Sequence, residues 1–444
     1  MIEKYCRLAV VLVCVLVSGG AAVEKPTTPQ KTCITAECHA EYGKKANVHG
    51  PVSLGECDAC HKPLKVEEHT WQFVRKDKDL CEYCHLEQTT KKVVHEPVKS
   101  GDCIQCHDPH SSDNKFLIPE KKMSSLCAKC HKVTEGLQFV HGPVAIGECS
   151  ACHEAHSSDH QYLLVAEPGQ LCFRCHVVMK NELEKYSVVH EPAKNDCIGC
   201  HNAHGGSDPK MVKNLAPFLC YTCHKDIQKI AENSPYQHSV VGDIGGCMNC
   251  HTPHASTAQF LLKQKPTAIC MTCHSKAQKI SEDEVLPPFT DQIEGKEFKH
   301  GPVADDNCSG CHVAHGSEYF RLLAKAYPPQ FYAPFSVENY ALCFGCHSEN
   351  VVLKKEASGL TDFRNGDLNL HYLHVNKPDR GRTCRSCHAT HASNAEKHIR
   401  ENVPFGMWDL PIQFEKTQTG GSCQPGCHLP AVYDRESPVV YERP

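Results

Sequence analysis

Residues 140–158 read VHGPVAIGECSACHEAHSS, followed by YLL at 162–164 and LCFRCH at 171–176. Two Cys-x-x-Cys-His motifs therefore begin about 23 residues apart, and further histidines stand at His141 and His156. The same arrangement recurs along the chain with a period of about 46 residues. Thiols and imidazoles at such fixed offsets predict a chain that is organised by a recurring site rather than by a single apolar core.

The chain contains fifteen Cys pairs that end in Cys-His. Thirteen have two residues between the cysteines and begin at Cys57, Cys81, Cys103, Cys127, Cys149, Cys172, Cys197, Cys220, Cys247, Cys270, Cys308, Cys343 and Cys384. Two are longer: Cys33 to Cys38 has four intervening residues, and Cys423 to Cys427 has three. The fifteen pairs use 30 of the 32 cysteines and leave Cys6 and Cys14.

This motif is the attachment signature of c-type haem. Two thiols bond one porphyrin, and the next imidazole ligates its iron. Zinc ribbons need four tetrahedral ligands but no His after every second Cys. A disulfide scaffold would leave the fifteen histidines unexplained. The sequence predicts fifteen covalently attached haem c groups, for which the second thiols are Cys38, Cys60, Cys84, Cys106, Cys130, Cys152, Cys175, Cys200, Cys223, Cys250, Cys273, Cys311, Cys346, Cys387 and Cys427. The predicted proximal ligands are His39, His61, His85, His107, His131, His153, His176, His201, His224, His251, His274, His312, His347, His388 and His428.

The composition is poor in residues that build a core. The 40% hydrophobic fraction includes 32 cysteines, and aromatic residues make up only 7%. At roughly 28 residues per haem, porphyrins would take the place of the core, and we expect no folding without them. The predicted fold class is mostly irregular, with short α-helices and almost no sheet. Tandem repeats that contact mainly their neighbours would make it an elongated multihaem protein whose core is stacked haems.

The motifs and the N-terminus predict four segments. Residues 1–22 read as a signal peptide, with Lys4 and Arg7 before an apolar run at 8–17 and small residues at Gly20 and Ala22. Residues 23–56 hold the single motif at Cys33, residues 57–299 hold tandem two-haem repeats, and residues 300–444 hold two-haem repeats with longer insertions. A lipid anchor at Cys14 is disfavoured because the apolar stretch before it is short.

Export would place the chain in the periplasm, at the outer membrane or outside the cell. No segment after residue 22 is apolar enough to span a bilayer. The formal charge is −5, or about −6 without the leader. Each ferric haem with two propionates would contribute −1, so fifteen haems would bring the oxidised protein to about −21. An acidic surface disfavours nucleic acid and anionic lipid, and favours basic partners.

Seventeen histidines lie outside the motifs, which is enough to give every iron a second imidazole. One set lies seven to nine residues before a first motif of a repeat: His49, His95, His141, His190, His238 and His300. Another follows a first-motif His by three residues: His110, His156, His204, His254, His315 and His391. The second set cannot reach over its own porphyrin and should ligate a neighbouring haem.

The ends of the chain depart from this phasing. In the first doublet Leu64 stands at the plus-three place, and His69 is the expected substitute. In the last doublet the upstream role falls to His371 or His374. The fifteenth distal ligand would be the unused one of these two, His160 or His398. Which His serves which iron is left open by the sequence.

The unit HGPVxxGxCxxCHxxH…LCxxCH resembles the doubled-CXXCH family of multihaem c-type cytochromes over residues 33–434. The closing stretch GGSCQPGCH, at 420–428, is similar to the end of exported cytochromes of metal-respiring bacteria. This resemblance implies an exported carrier with bis-His low-spin haems. Its implied partners are periplasmic or outer-membrane cytochromes, a porin–cytochrome complex or further copies of the chain joined end to end.

Two functions are compatible with these features. The first is electron transfer along bis-His haems in anaerobic or extracellular respiration, with no catalytic residue, because two imidazoles saturate the iron. The second is a reductase of nitrite, hydroxylamine or a sulfur oxyanion with one open haem, for which the Cys33 site is the candidate. No C-x-x-C-Lys motif occurs, and the histidine supply exceeds the demand. Both features favour the carrier.

Overall fold

The computed structural model describes residues 33–280, 282, 285–426 and 428–441. The predicted signal peptide, Cys6, Cys14 and the second thiol of the last motif, Cys427, lie outside the described residues. The chain divides into two compact units. One contains the described residues up to 131 together with 154–163, and the other contains 132–153 and the described residues from 164 onward.

The α-helices of the described residues are four to nine residues long. They are Gly50–Ser53, Lys78–Glu82, Glu96–Lys99, Met123–Cys127, Gly142–Ala145, Pro168–Phe173, Val177–Lys185, Glu191–Asn195, Cys197–Cys200, Phe218–Tyr221, Lys225–Asn233, Ser239–Gly242, Cys247–Cys250, Pro266–His274, Thr290–Ile293, Gly301–Ala304, Ala341–Phe344, Asn350–Leu353 and Leu370–Val375. Short 3₁₀ segments include Ala40–Gly43, Cys57–Ala59, Cys103–Gln105, Cys149–Ala151, Cys308–Gly310, Glu338–Tyr340 and Cys384–Ser386. Among the described helices, none is long and apolar enough to cross a membrane.

Two-residue antiparallel ladders join consecutive repeats. In each, the strand before an upstream His pairs with the strand after a plus-three His of the next repeat. These joining ladders are Asn47–Val48 with Ser111–Ser112, Val93–Val94 with Ser157–Ser158, Phe139–Val140 with Gly205–Gly206, Val188–Val189 with Ala255–Ser256, Tyr236–Gln237 with Gly316–Ser317, and Phe298–Lys299 with Ala392–Ser393. In these ladders, backbone pairing therefore joins each repeat to the next one.

The remaining strands form local hairpins, all of them antiparallel. The pairs are His61–Lys65 with Thr70–Phe73, Gln278–Lys279 with Val285–Leu286, Tyr332–Ala333 with Gly381–Arg382, Arg364–Asn365 with Leu368–Asn369, and Asn402–Phe405 with Trp408–Pro411. A three-stranded sheet is built from Phe414–Lys416, Gly420–Cys423 and Ala431–Asp434. The predicted fold class, irregular with short helices and only small sheets, is confirmed.

A tight turn with left-handed backbone follows most first motifs. Two consecutive non-glycine residues have φ between 54° and 59° at Phe116–Leu117, Tyr162–Leu163, Phe260–Leu261, Arg321–Leu322 and Lys397–His398. Positive φ at both central positions is the geometry of a type I′ turn, whose twist suits antiparallel neighbours. Non-glycine residues are strained there, so the surrounding contacts must hold the turn in place.

A hydrophobic cluster forms in the region of the longer insertions. Tyr340 is fully buried there, and it packs with Leu323, Tyr327, Val352 and Val375. Outside the cluster many large apolar side chains are exposed, and Ile104, Ile146 and Ile244 are each more than 70% exposed. These three exposed side chains lie close to motifs in the chain, where a flat apolar group would cover them.

Replacing Gly205 by Ala should destabilise its joining ladder. The φ of Gly205 is +152°, and an added Cβ would lie 2.3 Å from the Phe139 carbonyl oxygen and 2.8 Å from Leu137 Cδ1. We expect a loss of about 1–3 kcal/mol, seen as a lower unfolding temperature of the matured protein. Gly142→Ala is the matched control, since a Cβ there meets nothing within 4 Å. Equal unfolding temperatures for the two variants would contradict this account.

Candidate functional site

Each of the thirteen motifs with two residues between the cysteines folds as one helical turn that gathers its three reactive groups. In the motif at Cys149, the His153 backbone N–H donates to the Cys149 carbonyl oxygen at 3.0 Å, and Cys152 N–H donates to the same oxygen at 3.2 Å. Residues at i, i+3 and i+4 of a helical turn lie on one face. Both thiols and the imidazole therefore point toward one side, as attachment to one flat macrocycle requires.

Every described motif histidine except His428 lies opposite a second histidine. In these fourteen pairs the ring centres are 5.8–6.4 Å apart and the ring planes differ by 9–29°. Second-motif histidines face the upstream His of their own repeat, in the pairs His49–His85, His95–His131, His141–His176, His190–His224, His238–His274 and His300–His347. First-motif histidines face the plus-three His of the next repeat, in the pairs His61–His110, His107–His156, His153–His204, His201–His254, His251–His315 and His312–His391.

The ring separation fits one metal ion between each pair. An imidazole nitrogen bonds a transition metal at about 2.0–2.1 Å, and the ring centre lies about 1.2 Å behind that nitrogen. Two imidazoles on opposite sides of one iron would thus have ring centres about 6.4 Å apart. The observed pairs lie at or slightly below this value, with near-parallel planes. The residues present therefore fit a haem iron with two axial imidazoles.

Hydrogen bonds fix the tautomer of many of these rings. The Nδ1–H groups of His49, His95, His141, His190 and His238 donate to backbone carbonyls at 2.8–2.9 Å. Those of His107, His201, His251, His312 and His388 do the same at 2.7–2.9 Å. Since a carbonyl can only accept, Nδ1 carries the proton and Nε2 keeps its lone pair. This is the usual support of a metal-binding imidazole.

Burial keeps several facing imidazoles neutral. Desolvation, followed by the nearby His388, lowers the pKa of His371 to about 4. Desolvation, followed by His312, lowers the pKa of His391 to about 4. Only the neutral ring has a nitrogen lone pair to give to a metal, so these two sites are ready to ligate throughout the physiological pH range.

The two ends of the chain have pairs of their own. At the first motif His39 faces His69 at 5.9 Å and 14°, so the substitute for the missing plus-three His lies opposite the leading site. At the last repeat His371 faces His388 at 6.3 Å and 15°. His374 donates from Nδ1 to the Leu370 carbonyl oxygen at 2.7 Å. Burial is the largest cause that lowers the pKa of His374, and His428 also contributes. His428 is thus a motif histidine that acts electrostatically on His374.

Consecutive motifs are adjacent in space within each unit. Before attachment, thiols of neighbouring motifs hydrogen-bond one another, and this bond raises the pKa of Cys172 and lowers that of its partner Cys197. In the first unit Cys33–Cys57 and Cys81–Cys103 are hydrogen-bonded in this way, and Cys60–Cys84 and Cys106–Cys130 interact through charge alone. In the second unit the hydrogen-bonded pairs are Cys172–Cys197, Cys220–Cys247, Cys270–Cys308 and Cys343–Cys384. The pairs that interact through charge alone are Cys152–Cys175, Cys200–Cys223, Cys250–Cys273 and Cys311–Cys346.

Sequence reasoning missed the groups that orient the motif histidines. The carbonyl that accepts from Nδ1 comes from the left-handed turn, for instance at Phe116, Phe260, Arg321 and Lys397. The recurring aromatic–Leu pair of this turn, as in Phe116–Leu117, was a signal in the sequence. Tyr42 was also missed, and its ring stacks at 4.3 Å from the centre of the His110 ring.

Comparison with known families identifies the repeat. No curated protein matches the chain. The family model for the doubled CXXCH motif matches six times, at 49–90, 95–136, 141–181, 190–229, 238–279 and 300–352, which together exceed half of the sequence. Each match begins at an upstream histidine and includes both motifs of one repeat. The chain belongs to the doubled CXXCH motif family and is a multihaem c-type cytochrome with covalently bound haem.

Proposed function

We propose that this cytochrome is an exported electron carrier with fifteen haems, each held between two histidines. The observation that carries the proposal is the set of fourteen facing imidazole pairs at a separation that fits one iron. The bound haem supplies a reversible one-electron couple at iron. Two imidazole ligands leave no position for a substrate, so each site would pass electrons on rather than use them.

The polypeptide supplies position and order in this proposal. Each motif would attach its haem by two thioethers and give the proximal ligand, and the facing His would give the distal ligand. For the last site, at Cys423, Cys427 and His428, we assign His374. Because plus-three histidines belong to the next repeat, the first haem of every doublet except the last would bridge two repeats. Adjacent motifs follow chain order within each unit, which suits transfer between neighbours.

The place of this carrier is part of the same proposal. We place it in the periplasm or at the cell exterior, in anaerobic or extracellular respiration. The support is the signal-like leader read from the sequence and the similarity of 420–428 to cytochromes of metal-respiring bacteria. Other cytochromes, a porin–cytochrome complex or further copies of the chain would be its partners. The acidic formal charge favours basic patches on those partners.

Low-temperature electron paramagnetic resonance of the oxidised, matured protein tests the proposal. We expect about fifteen low-spin haems per chain and no stoichiometric high-spin signal, because each iron has two imidazoles. Haem is quantified on the same sample by intact mass and by absorbance after denaturation, so that spin count and haem count refer to the same molecules.

The other outcomes of this measurement are informative. A stoichiometric high-spin signal would contradict the saturated carrier and leave one iron open for a reductase. The Cys33 site would then be examined first by His69→Ala, which should create a second high-spin haem if His69 is a ligand. A haem count well below fifteen would contradict the proposed stoichiometry.

A further inference from the structure

Arginine is concentrated in the last third of the chain. Of its eleven arginines, eight lie at or beyond residue 321, whereas lysine is spread throughout. Three of these eight, Arg321, Arg385 and Arg400, are here called the arginine cluster. Contacts tie all three to the motifs at Cys308 and Cys384.

Arg321 and Arg385 are tied to these two motifs. The Arg321 carbonyl oxygen accepts from His312 Nδ1 at 2.9 Å. Arg385 lies inside the motif that begins at Cys384, half-buried over the rings of Phe320 and Tyr327, at 5.4 Å and 5.9 Å from their centres. Its backbone N–H donates to the Tyr327 hydroxyl at 2.8 Å. The guanidinium group is thus held on aromatic faces, which satisfy its charge only in part.

Arg400 is also half-buried, beside the facing histidines. Its Nε donates to the His388 carbonyl oxygen at 3.0 Å. It lines a pocket of about 190 Å³ together with Gln292, Lys296 and His391. The pocket therefore has two cationic side chains next to the imidazole that faces His312.

In the described residues no carboxylate is paired with the cluster, although Asp409 acts on Arg400 at longer range and raises its pKa. Within the part of the chain that the structure describes, none of the three guanidinium groups forms an ion pair with Asp or Glu. Burial lowers the pKa of Arg385 and Arg400, and repulsion within the cluster lowers it further. Arg321 is exposed, but the half-buried like charges of Arg385 and Arg400 are costly unless an anion joins them.

A neighbouring polar atom also lacks a partner. His398 Nδ1 is buried without a hydrogen bond, and the ring lies 5.5 Å from that of His300. Leu117, Leu163, Leu261 and Leu322 occupy the same place in other turns of this kind. This buried ring nitrogen, at a place where other repeats have leucine, is a polar atom to which the described residues supply no partner.

We propose that the arginine cluster binds the propionate carboxylates of the haems attached at Cys308 and Cys384. Guanidinium groups match carboxylates in a two-pronged geometry, which lysine does not. This inference rests on the proposed function, since it needs haem at these two motifs. Neutralising the propionates would remove negative charge next to the irons and make both haems easier to reduce. These two haems would then be the ones that electrons preferentially reduce in the second unit.

Potentiometric titration of the variants Arg385→Gln and Arg400→Gln tests the assignment. In each variant, about one haem should no longer titrate in the most positive part of the curve. The equilibrium constant for its reduction should fall about tenfold, which lowers its potential by about 59 mV for one electron. Haem content and low-spin character should stay as in the unchanged protein. Arg385→Lys should recover part of the shift. Arg174→Gln is the matched control, because Arg174 also lies inside a motif but is exposed.

The opposing outcomes are distinct. Titration curves of both variants that coincide with that of Arg174→Gln would overturn the inference. A potential of the unchanged protein that moves when inorganic phosphate is added would also overturn it, in favour of an anion from solution. If Arg385→Gln fails to mature, Arg400→Gln decides alone, since Arg400 is outside any motif. High-spin haem in the unchanged protein would contradict the proposed function but leave this test readable.

Discussion

A protein with both Cys149 and Cys152 changed to Ala should carry one haem fewer than the unchanged protein and unfold at a lower temperature. Without the two thiols nothing fixes a porphyrin at this motif. The metal bridge between His153 and His204, whose rings face each other at 6.0 Å, would be lost as well. Because binding free energy of a structural metal is folding free energy, the repeat and its neighbour should both loosen.

Intact mass and haem absorbance measure the loss, and thermal unfolding measures its structural effect. Ser150→Ala is the matched control, since Ser150 lies between the two cysteines and is exposed. It should keep full haem content and an unchanged unfolding temperature. An unaltered haem count in the double Ala variant would refute the attachment site at this motif. A lower count with unaltered unfolding would refute the bridging role of the site.

The motif chemistry could be read from the sequence because it is local. A Cys-x-x-Cys-His stretch closes into one helical turn whatever surrounds it, as the bond from His153 N–H to the Cys149 carbonyl shows. The spacing of the additional histidines relative to the motifs could be predicted for the same reason. Proline after the upstream His, as at Pro143, begins a short helix and places His141 at its N-terminal boundary.

The facing partner of each histidine could not be read, because it depends on contacts between repeats. His110 belongs opposite His61 and not over the motif it follows, and the joining ladder of Asn47–Val48 with Ser111–Ser112 sets this. Two residues of backbone pairing leave no periodic signal in a sequence. His371 and His374 were left as alternatives for the same reason, since only the fold places His371 opposite His388.

The left-handed turns and the hydrophobic cluster could not be predicted from the sequence either. Positive φ at residues such as Phe116 contradicts the ordinary preference of bulky side chains, so no local rule predicts it. The cluster around Tyr340 arises within the longer insertions, where residues distant in sequence such as Val375 pack together. Both features orient motif residues. The left-handed turns supply carbonyl oxygens to the motif imidazoles, and the hydrophobic cluster lies beside Cys343 and Cys384.

Replacing His156 with Ala should leave every haem attached but turn one of them high-spin. His156 faces His107 with ring centres 5.8 Å apart, although it follows the motif histidine His153 by three residues. The iron affected should therefore be the one attached at Cys103 and Cys106. Electron paramagnetic resonance, with haem quantified on the same sample, reads both properties. Asp159→Ala, an exposed change on the same segment, should leave all haems low-spin.

Two combined variants then show which motif carries the high-spin haem. Removing Cys103 and Cys106 from the His156→Ala protein should abolish the high-spin signal, because the exposed iron leaves with its haem. Removing Cys149 and Cys152 instead deletes the haem nearest in sequence and should leave the His107 iron high-spin. The reverse result would mean that His156 serves its own repeat, against the pairing across the joining ladder of Val93–Val94 with Ser157–Ser158. A fully low-spin His156→Ala protein would show that this histidine ligates no iron.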